Sequence, residues 1–454
     1  MNSAKVVKHI SECFIKPKYE IEESKQRFNL APMDLPMLSF HYIQKGLLFT
    51  KPSHAKDEEF STQEFVESLK QSLSLTLVHF FPLAGQFATN VDEERHESLV
   101  FVDCKKGPGV RFIHASLDMS ISYILSPTDV PLVVQSFFDH HKAVNHDGHT
   151  RPLLSVQITE LIDGIFIGCS ASHAVIDGTS YWHFWNAWSE IHQANSEELS
   201  VLQPPVYERW FPEGHGPTIK LPFTNSDEFI TRYEAPELRE RIFHFSAESI
   251  ARLKGQANEE SNTQKISSFQ ALSALCWRSI ARANRLPLEQ VTNCMLVANN
   301  RHRLNPSLPQ EYFGNCASAM RTSSTVSELQ NNNLGWAALL VHQLVANHSH
   351  KAVLDHINSW IASPYVYQPA MFGPNSIMMG SSPRFNMYGN EFRLGKPVAV
   401  RSGYANKFVG KVTSYPGYEG GGSVDLEICL SPDSMNLLES DPEFMRAVSL
   451  PYMP

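Results

Sequence analysis

Along the whole 454-residue chain, short stretches rich in β-branched and aromatic residues alternate with amphipathic ones. That alternation restricts the fold more than any other feature. Strand signals fall on SLVFVDC (98–104), LLSVQITEL (153–161) and GIFIGCSAS (164–172), and in the second half on RIFHFS (241–246), CMLVANN (294–300) and VDLEICL (424–430). Helix signals fall on 65–80, 181–193, 267–284 and 334–347, each with apolar residues three and four apart. No internal repeat or low-complexity tract breaks the pattern, so a mixed α/β architecture is expected. The chain is too long for a single core. One segment, VLQPPVYERWFPEGHGPTIKLPFT (201–224), is rich in Pro and Gly and lacks periodicity. It divides the chain into an N-terminal unit over 1–200, a crossover over 201–224 and a C-terminal unit over 225–454. In the tail, Pro432 and Asp433 start a short helix that closes the second unit.

Charge and cysteine usage remove several function classes. With 38 basic against 47 acidic residues and a net charge of -9, there is no surplus to neutralise a phosphate backbone. Nucleic acid is not an expected partner. Seven cysteines stand singly, with no CxxC pair, which fits neither a disulfide framework nor a zinc finger. Most lie in apolar stretches such as FIGCS, where a free thiol packs as a small core residue. The first thirty residues mix charges through every apolar stretch, and no later run reaches the length of a membrane span. A cytoplasmic address with no membrane partner is expected.

The chemistry concentrates in HAVIDG, His173 to Gly178, between the strand signal GIFIGCSAS and the helix signal YWHFWNAWSEI. A strand end is rigid and a helix start leaves N–H groups free, so a histidine between them is held while its ring faces a cavity. Imidazole, with an ordinary pKa near 6.5, takes a proton from an attacking alcohol or amine and returns it to a leaving group. Spacing alone does not decide. Twenty histidines and an Asp frequency of about 1 in 20 give about one HxxxD by chance. A second match, HASLD at His114 to Asp118, is followed by Met119 rather than Gly and reads as a surface or strand-edge histidine. The features around His173 fit a catalytic and a packed core histidine alike.

SASHAVIDGTSYWHFWNAWSEI resembles the HxxxDG signature of the BAHD acyltransferases, the plant family that moves acyl groups from coenzyme A thioesters to alcohols and amines. Other blocks are similar to the family in the same order. APMDLPMLSFHYIQKGLLF (31–49) carries Asp34 and Leu35 at the family's Asp-Leu pair, and LSLTLVHFFPLAGQF (73–87) holds its Pro-Leu-Ala-Gly turn. RLNPSLPQEYFGN (303–315) matches the segment ending in Tyr-Phe-Gly-Asn, and KVTSYPGYEGGGSVDLEICLSP (411–432) the closing strands. The resemblance implies two α/β domains, each like chloramphenicol acetyltransferase, with a solvent channel between them. It also implies a monomer with acyl-CoA as co-substrate, no bound cofactor and no metal.

By the same resemblance His173 is the base. Asp177 then turns away from the cavity and pairs with an arginine across the domain interface, Arg301 first and Arg303 second. Ser267 and Ser268 open a helix where the family runs its coenzyme A channel, although a plain N-cap explains them equally. The family's Asp-Phe-Gly-Trp-Gly block falls on Glu391, Phe392, Arg393, Leu394 and Gly395, losing the first glycine and the tryptophan. If that glycine served a positive φ, Arg393 must strain or re-route the turn, and Leu394 is a smaller plug than tryptophan.

Other clusters tempt and fail. HHKAVNHDGH (140–149) has no common zinc spacing and reads as a solvated loop, and HSHKAVLDH (348–356) is weaker still. GCSAS (168–172) lacks the last glycine of a hydrolase elbow. The expected function is acyl transfer from an acyl-CoA to a hydroxyl or amine of a small specialised metabolite, without a covalent acyl-enzyme. Two alternatives stay open: a lyase acting on a small acid after loss of coenzyme A use, and a non-catalytic binding protein on the same fold. Residues 362–383 and 401–410 are the expected walls of the substrate channel. There Met371, Phe372, Met378 and Met379 suggest an apolar lining suited to an aromatic or fatty acyl group rather than a malonyl group.

Overall fold

Two six-stranded sheets organise the chain in a computed structural model, which describes residues 6–52, 60–194, 203–373 and 375–450. Residues 201 and 202 of the expected crossover lie outside the described residues. In spatial order, the first sheet runs Lys8–Ile15, Val110–Ser116, Leu154–Glu160, Gly164–Ala171, Ile43–Thr50 and Ala399–Ser402. The second runs Ala317–Thr325, Val291–Asn299, Ser376–Gly380, Lys411–Pro416, Val424–Leu430 and Arg239–Phe245. A small three-stranded sheet, Arg27–Asn29, Glu97–Asp103 and Gln86–Asp92, flanks the first.

Each large sheet builds its own core. In helix Thr62–His79, Leu69, Leu73 and Leu77 recur every four residues and bury against Trp182, Trp185 and Trp188 of helix Gly178–Ala194 and the apolar side of the first sheet. Helices Ala247–Glu260, Ser268–Ala283 and Leu334–Asn347 cover the second sheet through Leu253, Leu272, Leu275 and Val341. The short helix Pro432–Glu439 starts at the expected Pro432, capped by the Ser431 hydroxyl.

Several elements depart from the sequence reading. Helix Ala247–Glu260 carries few apolar residues and buries only Ile250, Leu253 and Ala257 as an apolar stripe, while helix His350–Ala362, with Val353, Ile357 and Trp360 at helical spacing, lies outside the expected helices. Strand Ala399–Ser402, which belongs to the 225–454 segment, pairs antiparallel with residues 45–48 and completes the first sheet. The described part of the crossover, 203–224, has no helix or long strand, yet it is tied down. Val206 bridges to Tyr312, Leu221 bridges to Ser98, and the Tyr207 hydroxyl donates to the His79 carbonyl. No helix among the described residues is long and apolar enough to cross a membrane.

Candidate active site

His173 sits in the turn between strand Gly164–Ala171 and helix Gly178–Ala194. The strand is buried along its whole length, and the helix packs three tryptophans, so both ends of the turn are anchored. Two asparagine side chains then fix the His173 backbone. Its N–H donates to Asn145 Oδ1 at 2.7 Å, and its carbonyl accepts from Asn315 Nδ2 at 2.7 Å. Among the described residues Nδ1 is shut from solvent without a hydrogen-bond partner, while the Asn315 side chain interacts with the ring. Burial lowers the His173 pKa from its ordinary 6.5; Asp177 and Asn315 pull it back up, and the Lys411 ammonium pushes it down again. The net shift is downward, which keeps the imidazole neutral and basic at neutral pH.

Asp177 points the other way. Its carboxylate receives Arg301 Nη1 at 2.7 Å and Nη2 at 3.1 Å, the Ser180 N–H at 2.9 Å and the Cys316 N–H at 3.0 Å. The Ser180 contact also makes Asp177 the cap of the helix that follows His173. Burial by itself would raise the Asp177 pKa, but Arg301 and the two backbone donors outweigh it and hold the group below the usual carboxylate range. Arg301 is fully buried and further donates to the carbonyls of Tyr312 at 2.8 Å and Gly314 at 3.2 Å. Arg303 goes elsewhere, donating to the His348 carbonyl at 2.6 Å. Gly178 opens the helix in a tight place, where an added Cβ would lie 3.2 Å from the Phe385 ring.

A second buried pair supports the same loop from below. Asp34 accepts from the Asn315 N–H at 2.8 Å and Asn315 Nδ2 at 2.9 Å, and pairs with Arg209 of the crossover. The Arg209 guanidinium lies 4.4 Å from the centre of the Phe28 ring. Gly314, at φ +135°, lies where a Cβ would strike that guanidinium. Asp34, Asn315 and the His173 carbonyl thus form one chain of contacts from the N-terminal segment to the base. Asn145, Arg209 and Asn315 had no sequence signal for these roles, because each acts through a contact more than 25 residues away in the chain.

The remaining sequence candidates fall in distinct places. Ser267 caps helix Ser268–Ala283, accepting from the Gln270 N–H at 3.3 Å while its own N–H donates to Gln270 Oε1 at 2.8 Å; Ser268 is the first helical residue. His114 is not at a surface or a sheet edge: it is buried on an inner strand and meets Glu160 Oε1 at 2.6 Å. The 140–149 loop is not simply solvated either. His140 and Asn145 are buried, and Asn145 is the residue that reaches His173, while no group of metal-ligating side chains forms among the described residues.

The altered 391–395 block forms a turn with positive φ angles. Phe392 and Arg393 take the left-handed conformation at φ +44° and +59°, and Gly395 follows at +83°. Phe392 is fully buried, with its ring centre 4.8 Å from that of Trp188 and 5.8 Å from that of Trp185. Leu394 is buried, while Glu391, Arg393 and Gly395 are exposed. The Arg393 guanidinium reaches the Gln193 carbonyl at the end of the site helix, where a cation is favoured. Of the expected channel lining, Met378 faces a cluster with Met295 and Phe408, with Phe372 against it; Met379 points the opposite way, into the helix-covered core. Strand alternation requires that split.

A sequence model of the Transferase family matches residues 5–445. The chain is 33% identical over 455 residues to the BAHD acyltransferase DCR of Arabidopsis thaliana, covering 97% of this chain and 92% of that one. Among solved structures it superposes on vinorine synthase with a TM-score of 0.73 at 21% identity, covering 98% and 99% of the two chains. It superposes on F. sporotrichioides TRI101 complexed with coenzyme A and T-2 with a TM-score of 0.72 at 19% identity, covering 93% and 99%. The two-sheet architecture is therefore the chloramphenicol-acetyltransferase-like fold of those enzymes.

Proposed function

Because the chain belongs to the BAHD acyltransferases of the Transferase family, we propose that it moves an acyl group from a coenzyme A thioester to a hydroxyl or amine of a small metabolite, with His173 as general base. The observation that carries this reading is the His173 ring itself: kept neutral by burial, with Nδ1 unpaired among the described residues, on a backbone fixed from both sides. The acceptor O–H or N–H gives its proton to Nε2 as its heteroatom attacks the thioester carbonyl carbon. The tetrahedral oxyanion then re-forms the carbonyl and expels coenzyme A thiolate. That thiolate takes the proton from the imidazolium, leaving ester or amide and free thiol, with no covalent acyl-enzyme.

Asp177 takes no part in the proton transfer, since its carboxylate is filled by four donors. It is a positioning residue that locks the turn. Incubating the protein with labelled acyl-CoAs and a panel of alcohols and amines tests the reading. Transfer is expected with the wild type, and His173→Ala should reduce it by the roughly 10²-fold typical of a lost general base. Unchanged transfer in His173→Ala, or no coenzyme A binding by the wild type, overturns it.

A further inference from the structure

Strand register shows which side of the second sheet looks toward the first. Leu296, Ile377, Met379, Val412, Leu426 and Ile428 bury against the covering helices. Residues alternating with them take the other side: Met295 opposite Met378, Met378 opposite Lys411, and Lys411 opposite Cys429. Tyr415, four residues beyond Lys411 and on the same side, meets Lys45 Nζ of the first sheet at 2.9 Å. This side therefore faces the space between the two sheets.

Three lysines share that space with two carboxylates, Glu240 and Glu427. Lys407 pairs with Glu240 and lies 3.6 Å from Glu427. Glu427 also accepts from Ser402 at 2.5 Å and Tyr415 at 3.1 Å, and Lys45 donates to the Tyr415 hydroxyl. Both carboxylates are thereby engaged. Among the described residues the Lys411 ammonium has neither a hydrogen bond nor an ion pair, and Nζ lies 6.0 Å from the centre of the Phe408 ring. A Cβ on Gly380, two residues along the strand from Met378, would strike Nζ, so that glycine leaves room for it. Burial brings the Lys411 pKa down to about 8 against the opposing pull of Cys429 and Glu427, and its charge is felt at His173. Beside it, Met295, Met378 and Phe408 form an apolar cluster. Lys411 is half-buried, and an ammonium set among apolar groups without a protein acceptor gains from a ligand that supplies one.

We infer that Lys411 docks a carboxylate of the substrate that meets His173, with the apolar body of that substrate lying against Met295, Met378 and Phe408. The inference rests on the acyltransferase reading and narrows it to anionic substrates. The carboxylate belongs to the acceptor or to the far end of the acyl chain.

Calorimetric titration of the full-length protein with benzoate and with its neutral analogue benzamide tests the site without turnover. Benzoate should bind at least tenfold more tightly to the wild type, to Lys411→Arg and to His173→Ala, and Lys411→Met should lose the preference. Lys411→Met should also melt no lower than wild type, since it removes an unpaired charge. Equal or absent binding of the two probes by the wild type, or an unchanged preference in Lys411→Met, overturns the proposal. Turnover then identifies the source of the carboxylate. If the acceptor carries it, Lys411→Met lowers kcat/KM tenfold or more with benzoyl-CoA and 4-(hydroxymethyl)benzoate. If the acyl chain carries it, the loss appears with glutaryl-CoA and benzyl alcohol. Transfer in which neither reaction is impaired by Lys411→Met also overturns the proposal. If no acyl group is transferred at all, the acyltransferase reading falls and the benzoate preference alone decides the anion site.

Discussion

His173 and Asp177 differ in what their surroundings ask of them. Because burial lowers the His173 pKa, its neutral form persists below the ordinary value of about 6.5. The acid limb of kcat/KM should therefore reach half its plateau below pH 6.5, with activity falling as pH drops through that point. A half-point well above 6.5 would assign the limb to another group. Asp177 has the opposite task. Replacing it by Asn leaves the Arg301 guanidinium buried against a neutral partner, and loss of one member of a buried pair costs about 3–5 kcal/mol. Asp177→Asn should lose stability and rate together, and a denaturation cycle with Arg301→Gln should show coupling above about 1 kcal/mol. Additive losses would mean that the two groups act separately. These residues were legible in the sequence through the resemblance of HAVIDG and its flanking blocks to the family, since the local pattern alone fits a catalytic and a core histidine alike. Asn145, Asn315, Arg209 and Lys411 were not legible in these roles, since their contacts arise only when distant segments meet.

The 391–395 turn combines a strained backbone with a buried aromatic anchor. Arg393 holds the left-handed conformation at a cost of roughly 1–2 kcal/mol relative to a relaxed backbone, partly offset by its contact with the helix end. What anchors the turn is Phe392, enclosed by Trp185, Trp188 and His192. Phe392→Ala should cost about 3–5 kcal/mol by emptying that cage, whereas Arg393→Gly should stay within about 1 kcal/mol of wild type. Urea midpoints read both, and a larger effect at Arg393 would show that its guanidinium, not the Phe392 ring, holds the turn. Sequence periodicity located the long elements well, as at Leu334–Asn347 and Val424–Leu430. It failed where the signal is short or dilute. Strand Ala399–Ser402 has four residues, and helix Ala247–Glu260 has a thin apolar stripe.

For the molecule as a whole, the two halves share parts. Arg301 reaches back to Asp177, and Ala399–Ser402 forms an edge of the first sheet. Residues 1–224 produced alone should therefore expose the Ile43–Thr50 strand, with Leu47, Leu48 and Phe49 on an open edge. That fragment should aggregate, and a soluble, cooperatively melting fragment would contradict the shared-sheet account. The borrowed strand also sets a clock on synthesis. The other five strands of the first sheet are complete by residue 171, while the sixth begins at residue 399, about 230 residues later. At about 5–20 residues per second, the ribosome holds the unfinished sheet for roughly ten to fifty seconds before its last strand is made. Through that interval the nascent first half needs a temporary cover, so chaperone capacity during translation should govern how much of this protein a cell can accumulate.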